Sequence, residues 1–325
     1  MGLANDVEEN KEMIIKRVEI KDYLVFKSEF AADFCPGVNV LIGGNGTGKT
    51  TLIREMYKSA KAIKNYHVPS NLTDKALLIN YDENHSQLGK SCGQLDGRIE
   101  LIVDVAGISY TIYIPEKDIF EHATGLLPFI KQRETGFSQI YEDILLAGQV
   151  ARIRDQSATQ KSVGQKIAKI IDGEVYRNEV DGSFYTLKTD GTRVPFEHEA
   201  SGYKRIGFLG LLVSRGLLEP GTVLFWDEPE NSLNPELVPD LVDILLELSR
   251  SGVQIFIATH DYLLPKYLEV RRKTEDDVWF HFLSKTGFNQ PVTIESDTFF
   301  SAFENNNIIN QPIRLYEETH KEGMG

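Results

Sequence analysis

The stretch that decides the fold is Gly43-Gly44-Asn45-Gly46-Thr47-Gly48-Lys49-Thr50. It follows a short apolar run, Val38–Ile42, which we predict to be a strand, and it precedes Thr50–Lys64, where apolar residues recur at helical spacing. Glycines let successive backbone N–H groups point into one concavity at the start of a helix, and such a concavity binds anions. A strand, a glycine-rich loop and a helix in this order predict a phosphate-binding loop.

Within this loop, Lys49 is predicted to reach the β- and γ-phosphates as a catalytic cation, and Thr50 to give its hydroxyl to Mg²⁺. The alternative is a chance glycine-rich turn before a helix, which the flanking strand and helix argue against. The loop predicts ATP and Mg²⁺ as cofactors but not the reaction that follows. The predicted nucleotide-binding residues are Gly43, Gly44, Asn45, Gly46, Thr47, Gly48, Lys49, Thr50 and Thr51.

A pair of acids follows a second apolar run far downstream. Thr222–Trp226 ends in Asp227 and Glu228. Asp227 is predicted to hold Mg²⁺ opposite Thr50, and Glu228 to accept a proton from the attacking water. The alternative is a strand that ends in solvated acids. A base for water favours hydrolysis over phosphoryl transfer.

The next apolar run, Val253–Ala258, ends in Thr259, His260 and Asp261. A single histidine is more often a packed or solvated residue. Here it ends the strand after the acid-bearing strand, where its side chain could sense a γ-phosphate. We therefore predict that His260 is a catalytic switch residue.

Composition narrows the class of protein. The chain has 325 residues and a formal net charge of −13, which argues against one broad nucleic-acid footprint. Cys35 and Cys92 form no CxxC pair, so reduced thiols are expected. The amino terminus lacks signal-peptide features and no run of about 18 apolar residues occurs, so we expect a cytoplasmic protein without membrane insertion.

The order of the predicted elements indicates a single domain over residues 1–325. Its N-terminal half spans 1–115 and its C-terminal half 172–325, with a helical insertion at 116–171. Strands from both halves are expected to form one sheet.

Several local predictions can be tested against a structure. Leu24–Phe30 is predicted to be a strand, Arg98–Val105 and Ile108–Ile114 a hairpin, and the chain after Asp261 a polar tail. Helices are predicted at Phe137–Ala147, Lys161–Ile171, Gly202–Ser214 and Pro235–Ser249, and short strands at Met13–Ile20, Lys75–Asn80, Glu174–Arg177, Ser183–Thr189 and Val194–Glu197.

Four motifs in order, GGNGTGKT, ASGYKR, FWDEPENSLNP and ATHD, resemble those of the ABC-type ATPase superfamily. The likeness is to its soluble branch near RecF, SMC and OLD-family ATPases. The resemblance implies an α/β fold: a P-loop NTPase head of the ABC type with an antiparallel β layer and an inserted helical lobe. It also implies a homodimer in which ATP is sandwiched between two heads.

The resemblance carries roles to particular residues. Ser201 and Gly202 match the signature motif that touches the partner's γ-phosphate. The alternative for Ser201, an ordinary helix N-cap, is compatible with that role. Asn231–Pro235 matches the D-loop, which crosses the dimer interface. Gln132 is the candidate Q-loop residue and metal ligand. The signature departs from the LSGGQ of membrane transporters, and the tail after Asp261 is too short for a Toprim nuclease domain.

The resemblance implies an ATP-hydrolysing switch that acts on nucleic acid or on a separately encoded effector protein, in DNA repair or phage defence. The alternatives are an ATPase subunit of a membrane transporter and a binding module that holds ATP without turnover. A basic stretch within Gln149–Ile171 is either a nucleic-acid contact or a solvated helical face. Its residues are Arg152, Arg154, Lys161, Lys166 and Lys169.

Overall fold

The computed structural model describes residues 14–65, 75–79, 98–104, 110–117, 126, 130, 138–287, 290–303 and 306–322. At its centre lies a mixed sheet with the strand order β13-β12-β3-β11-β10-β6. All neighbours in it are parallel except β12 and β13. Its strands are β3 (Val38–Ile42), β6 (Thr111–Ile114), β10 (Val223–Asp227), β11 (Gln254–Thr259), β12 (Val278–Ser284) and β13 (Thr293–Asp297).

The three middle strands, β3, β11 and β10, are buried along their whole length. Such continuous apolar runs are typical of parallel strands that are covered on both faces. In register, Ile42 lies beside Thr259, and Asp227 beside Ala258. The carboxyl ends of these strands therefore meet at one edge of the sheet, where ligands bind in open α/β sheets.

Helices cover both faces of the central sheet. On one face, Leu52 and Met56 of α1 pack with Phe225 and Phe256. On the other face, α4 (Ser201–Ser214) and α5 (Val238–Arg250) pack against residues such as Trp226. The helices are α1 (Lys49–Asn65), α2 (Gln139–Ala147), α3 (Ala158–Ile171), α4 (Ser201–Ser214), α5 (Val238–Arg250), α6 (Leu263–Arg271) and α7 (Asn307–Glu322).

Two antiparallel sheets complete the described fold. The larger has the order β2-β1-β5-β4 and forms the predicted antiparallel layer, and the smaller is the meander β7-β8-β9. Their strands are β1 (Ile14–Lys21), β2 (Phe30–Asp33), β4 (Lys75–Ile79), β5 (Arg98–Asp104), β7 (Gly173–Arg177), β8 (Phe184–Lys188) and β9 (Arg193–Pro195).

The predicted strand at Leu24–Phe30 is wrong. Tyr23 and Phe26 instead close a tight turn through an antiparallel bridge, with Leu24 at φ 50°, and the strand begins only at Phe30. The turn buries Phe26 against Phe30, with ring centroids 4.6 Å apart. Burial of an aromatic side chain, rather than strand alternation, explains why this run is apolar.

The predicted hairpin between Arg98–Val105 and Ile108–Ile114 is also wrong. Strand β5 pairs with β1 and β4 in the antiparallel layer, whereas β6 pairs in parallel with β10 in the central sheet. Two neighbouring apolar runs can pair with each other or with separate sheets, and their local pattern does not distinguish these cases.

The chain after Asp261 is not a polar tail. It forms α6, β12, β13 and α7, and β12 extends the central sheet by pairing in parallel with β3. Charged residues on both sides of β12 make this part of the sequence read as polar, although several residues of the strand itself are buried.

The predicted helical insertion is helical at α2 and α3. Residues 118–125, 127–129 and 131–137, including Gln132, lie outside the described residues. Across the part of the chain that the structure describes, no helix is both long enough and apolar enough to cross a membrane.

Candidate nucleotide site

The glycine-rich loop joins β3 to α1 in the predicted place. Gly46 and Gly48 adopt positive φ angles of 80° and 93°, which side-chain-bearing residues rarely reach. A Cβ atom on Gly43 would lie 2.3 Å from the carbonyl oxygen of Leu283 in β12. Glycine is therefore required both for the turn and for the close packing of the loop on the sheet.

The Lys49 side chain is buried inside this loop. Its Nζ donates to the carbonyl oxygens of Gly43, at 2.7 Å, and of Gly44, at 3.1 Å. Burial lowers the pKa of Lys49, and the charges of Glu228 and Asp227 oppose that shift. The ammonium group therefore lies where it can meet an anion held by the loop.

Asp227 lies at the end of β10 and connects two other elements. The Thr50 hydroxyl of α1 donates to its Oδ1 over 3.1 Å, and the Tyr113 hydroxyl of β6 donates to its Oδ2 over 3.2 Å. Burial raises the pKa of Asp227, while these hydrogen bonds lower it. A carboxylate and a hydroxyl in contact at the edge of the loop are oxygen ligands that suit Mg²⁺.

Glu228 and His260 form the second part of the site. Glu228 has a φ of 49°, and its N–H donates to the carbonyl of Ala258 over 2.8 Å. This turn directs the side chain away from the strand, so that Oε1 lies 2.8 Å from His260 Nδ1. The structure thus brings together the two residues predicted to act on water and on the γ-phosphate.

Sequence reasoning missed Tyr113 and Glu230. Glu230 lines the same cavity as Glu228, and its Oε1 accepts a hydrogen bond from the Thr259 hydroxyl. Burial raises the pKa of Glu230 well above its ordinary value, the Thr259 bond lowers it, and the charge of Glu228 raises it further. Glu230 is the third acid of Asp227-Glu228-Pro229-Glu230, and this run of acids was the available signal for it.

Ser201 and Gly202 begin α4 beside the predicted D-loop. The N-cap is Ala200, which makes no side-chain hydrogen bond, so the N-cap alternative for Ser201 is wrong. A Cβ on Gly202 would lie 2.8 Å from the Ser232 carbonyl oxygen. Ser201 itself is exposed. The predicted signature and D-loop segments therefore pack against each other within one chain.

Arg205, also on α4, connects this helix to the end of β10. The guanidinium is buried and donates from Nη2 to the Asp227 carbonyl, at 3.1 Å, and from Nη1 to the Glu116 carbonyl, at 2.9 Å. Arg205, one turn after Ser201, therefore joins the start of α4 to the end of β10.

A cavity of about 990 Å³ opens in front of these groups. The phosphate loop, Glu228, Glu230 and His260 line one side of it, and α7 lines the other. Its volume falls at the upper end of the usual range for ligand sites, ~300–1,000 Å³.

A phosphate loop joins the buried strand β3 to α1, and two acids lie at the end of β10, on the far side of β11 in the same sheet. This arrangement defines the protein as an α/β P-loop NTPase. Residues 97–264 match the model of the family described as "AAA domain, putative AbiEii toxin, Type IV TA system". That match covers just over half of the chain, and the chain belongs to this AAA_21 ATPase family.

More distant ABC ATPases share shorter segments. The cell division ATP-binding protein FtsE of Mycobacterium tuberculosis is 33% identical over 76 residues, which are 23% of this chain and 31% of FtsE. The L-cystine import ATP-binding protein TcyN of Bacillus subtilis is 32% identical over 68 residues, 21% of this chain and 24% of TcyN. The matched region thus spans less than a third of either relative.

Among solved structures, the Smc head bound to the C-winged helix domain of ScpA is similar, with a TM-score of 0.52 and 12% identity. The match covers 89% of this chain and 99% of that chain. At this identity the likeness shows the fold alone, which is that of SMC and ABC heads.

Proposed function

We propose that this chain hydrolyses ATP in a site completed by a second copy of itself, and that the resulting opening and closing acts as a switch on another macromolecule. The observation that carries the proposal is the convergence of Lys49, Thr50, Asp227, Glu228 and His260 at one edge of the central sheet.

The proposed reaction is attack of water on the γ-phosphorus. Glu228 accepts the proton of the water as its oxygen bonds to phosphorus, and the bond to the β–γ bridging oxygen breaks to release ADP. Lys49 stabilises the charge on the phosphate oxygens, and His260 donates toward the γ-phosphate. Bound at Thr50 and Asp227, Mg²⁺ would neutralise charge on the β- and γ-phosphates.

The proposed dimer rests on the signature segment. Ser201 is exposed at the first turn of α4, where helix N–H groups favour an anion, and Gly202 packs against the D-loop of its own chain. A γ-phosphate held by a second copy would supply that anion. The likeness of this chain to SMC heads is consistent with such pairing.

The target of the switch is proposed to be nucleic acid or a separately encoded effector, in a defence setting that the family description suggests. The basic stretch gives little support to a nucleic-acid target, because two of its cations are already paired with acids of the same chain. Lys166 pairs with Glu247 at 2.6 Å, and Arg152 pairs with Glu174 at 3.0 Å. The alternative, an ATPase subunit of a membrane transporter, has less support, because the relatives that suggest it are matched over less than a third of their length.

Phosphate release from ATP and Mg²⁺ tests this proposal, with Lys49→Ala as the matched inactive control. We expect wild-type release well above the control, with an increase that is steeper than linear in protein concentration because two chains form each site. Release equal to that of Lys49→Ala would favour a non-hydrolysing binding module.

A further inference from the structure

Glu230 has an unusual environment for an acid. Its Oε1 accepts from the Thr259 hydroxyl, whereas its Oε2 is buried and meets no hydrogen-bond donor among the described residues. The Glu230 carboxyl is also a hydrogen-bonding neighbour of the Glu228 carboxyl. A buried oxygen without a partner destabilises the fold, and a proton held between the two carboxyls would give it one.

The surrounding charges indicate which of the two acids carries the proton. His260 Nδ1 lies 2.8 Å from Glu228 Oε1. Burial and the charge of Glu228 raise the pKa of Glu230, and the hydrogen bond from the Thr259 hydroxyl offsets this only in part. Other charged groups that line the same cavity are Asp261, Arg314 and Glu318.

On the basis of the ATPase function proposed above, we propose that Glu230 is a positioning residue. Its partly buried carboxyl group donates a hydrogen bond to Glu228 and thereby fixes the direction of that carboxylate. The terminal torsion of a glutamate has broad minima, so Glu228 alone would not hold one orientation. A hydrogen bond from Glu230 on one side and His260 on the other restricts it to the direction of the attacking water.

Two substitutions separate this role from simple packing. In Glu230→Gln, the amide oxygen can accept from Thr259 while the amide nitrogen donates to Glu228, so both contacts persist. In Glu230→Met, the volume is similar but both hydrogen bonds are lost. We expect kcat of Glu230→Gln within about threefold of wild type, and kcat of Glu230→Met lower by roughly 10- to 100-fold with KM for ATP little changed.

The pH profile of kcat provides a readout that packing would not change. As the pH rises through the raised pKa of Glu230, the wild-type carboxyl loses its proton and repels Glu228, so kcat declines. The amide of Glu230→Gln does not titrate, and we expect its alkaline decline to be smaller. Thermal unfolding and binding of a fluorescent ATP analogue check that each variant folds.

Two results would overturn the positioning role: kcat of Glu230→Met equal to that of an active wild type, or Glu230→Gln as impaired as Glu230→Met with an unaltered alkaline decline. If Glu230→Met does not fold, the kcat and pH profile of Glu230→Gln still decide the matter. A wild type without turnover above Lys49→Ala would instead refute the ATPase function, and this inference with it.

Discussion

The Thr50 hydroxyl donates to Asp227 Oδ1 over 3.1 Å, although 177 positions separate the two residues in the chain. The contact exists because β3 and β10 flank β11 in one parallel sheet, so that their carboxyl ends lie side by side. It joins the loop predicted to hold phosphate to the carboxylate predicted to hold the metal.

Tyr113→Phe should weaken metal-dependent turnover. Loss of the 3.2 Å bond to Asp227 Oδ2 removes a hydrogen bond that lowers the pKa of Asp227. A hydrogen bond to a charged group contributes ~1.5–3 kcal/mol. We therefore expect kcat/KM at limiting Mg²⁺ to decrease by about tenfold or more. Because the carboxylate must be ionised, the defect should grow as the pH falls, and a Mg²⁺ titration of phosphate release at two pH values measures this.

Tyr57→Phe is the matched control for that experiment. Tyr57 packs against Tyr113 with ring centroids 5.5 Å apart, but its hydroxyl donates to Asp143 instead of Asp227. Equal Mg²⁺ dependence of the two variants would contradict the role assigned to Tyr113.

Arg205→Lys should destabilise the protein by about 2–4 kcal/mol, since one ammonium cannot replace a buried guanidinium that donates to the carbonyls of Asp227 and Glu116. Urea denaturation measures the loss. Arg154→Lys, at an exposed site, should change the free energy of unfolding by no more than about 0.5 kcal/mol. Similar midpoints for the two variants would show that the Arg205 bonds add little.

His281 should make the fold sensitive to acid. Its ring is buried and contacts Ser296 Oγ at 2.8 Å, and burial lowers its pKa from 6.5 to about 3. As the pH falls below about 6.5 the unfolded chain takes up this proton and the folded chain does not, so stability decreases by up to ~1.4 kcal/mol per pH unit until about pH 3.

The pH dependence of urea midpoints for wild type and His281→Gln tests this account of His281. The variant should be less stable at neutral pH, because it disturbs a packed site, yet its stability should fall less steeply on acidification. Parallel pH dependences would show that His281 does not supply the acid sensitivity.

Much of the nucleotide site could be predicted from the sequence because its residues occupy strand ends and a loop with a defined glycine pattern. Lys49, Asp227 and His260 were found in this way. Tyr113 was missed because its contact depends on which sheet β6 joins, and the local pattern does not encode pairing partners. β12 was missed for a related reason, since its pairing with β3 joins residues 240 positions apart and leaves no local signal.

The most direct test of the two-headed site is the mass of Glu228→Gln in solution with ATP and Mg²⁺, measured by light scattering during size-exclusion chromatography. The account predicts the mass of two chains with ATP, of one chain without it, and of one chain when Ser201→Arg is added. ATP binding by Glu228→Gln with the mass of a single chain at every protein concentration would contradict it.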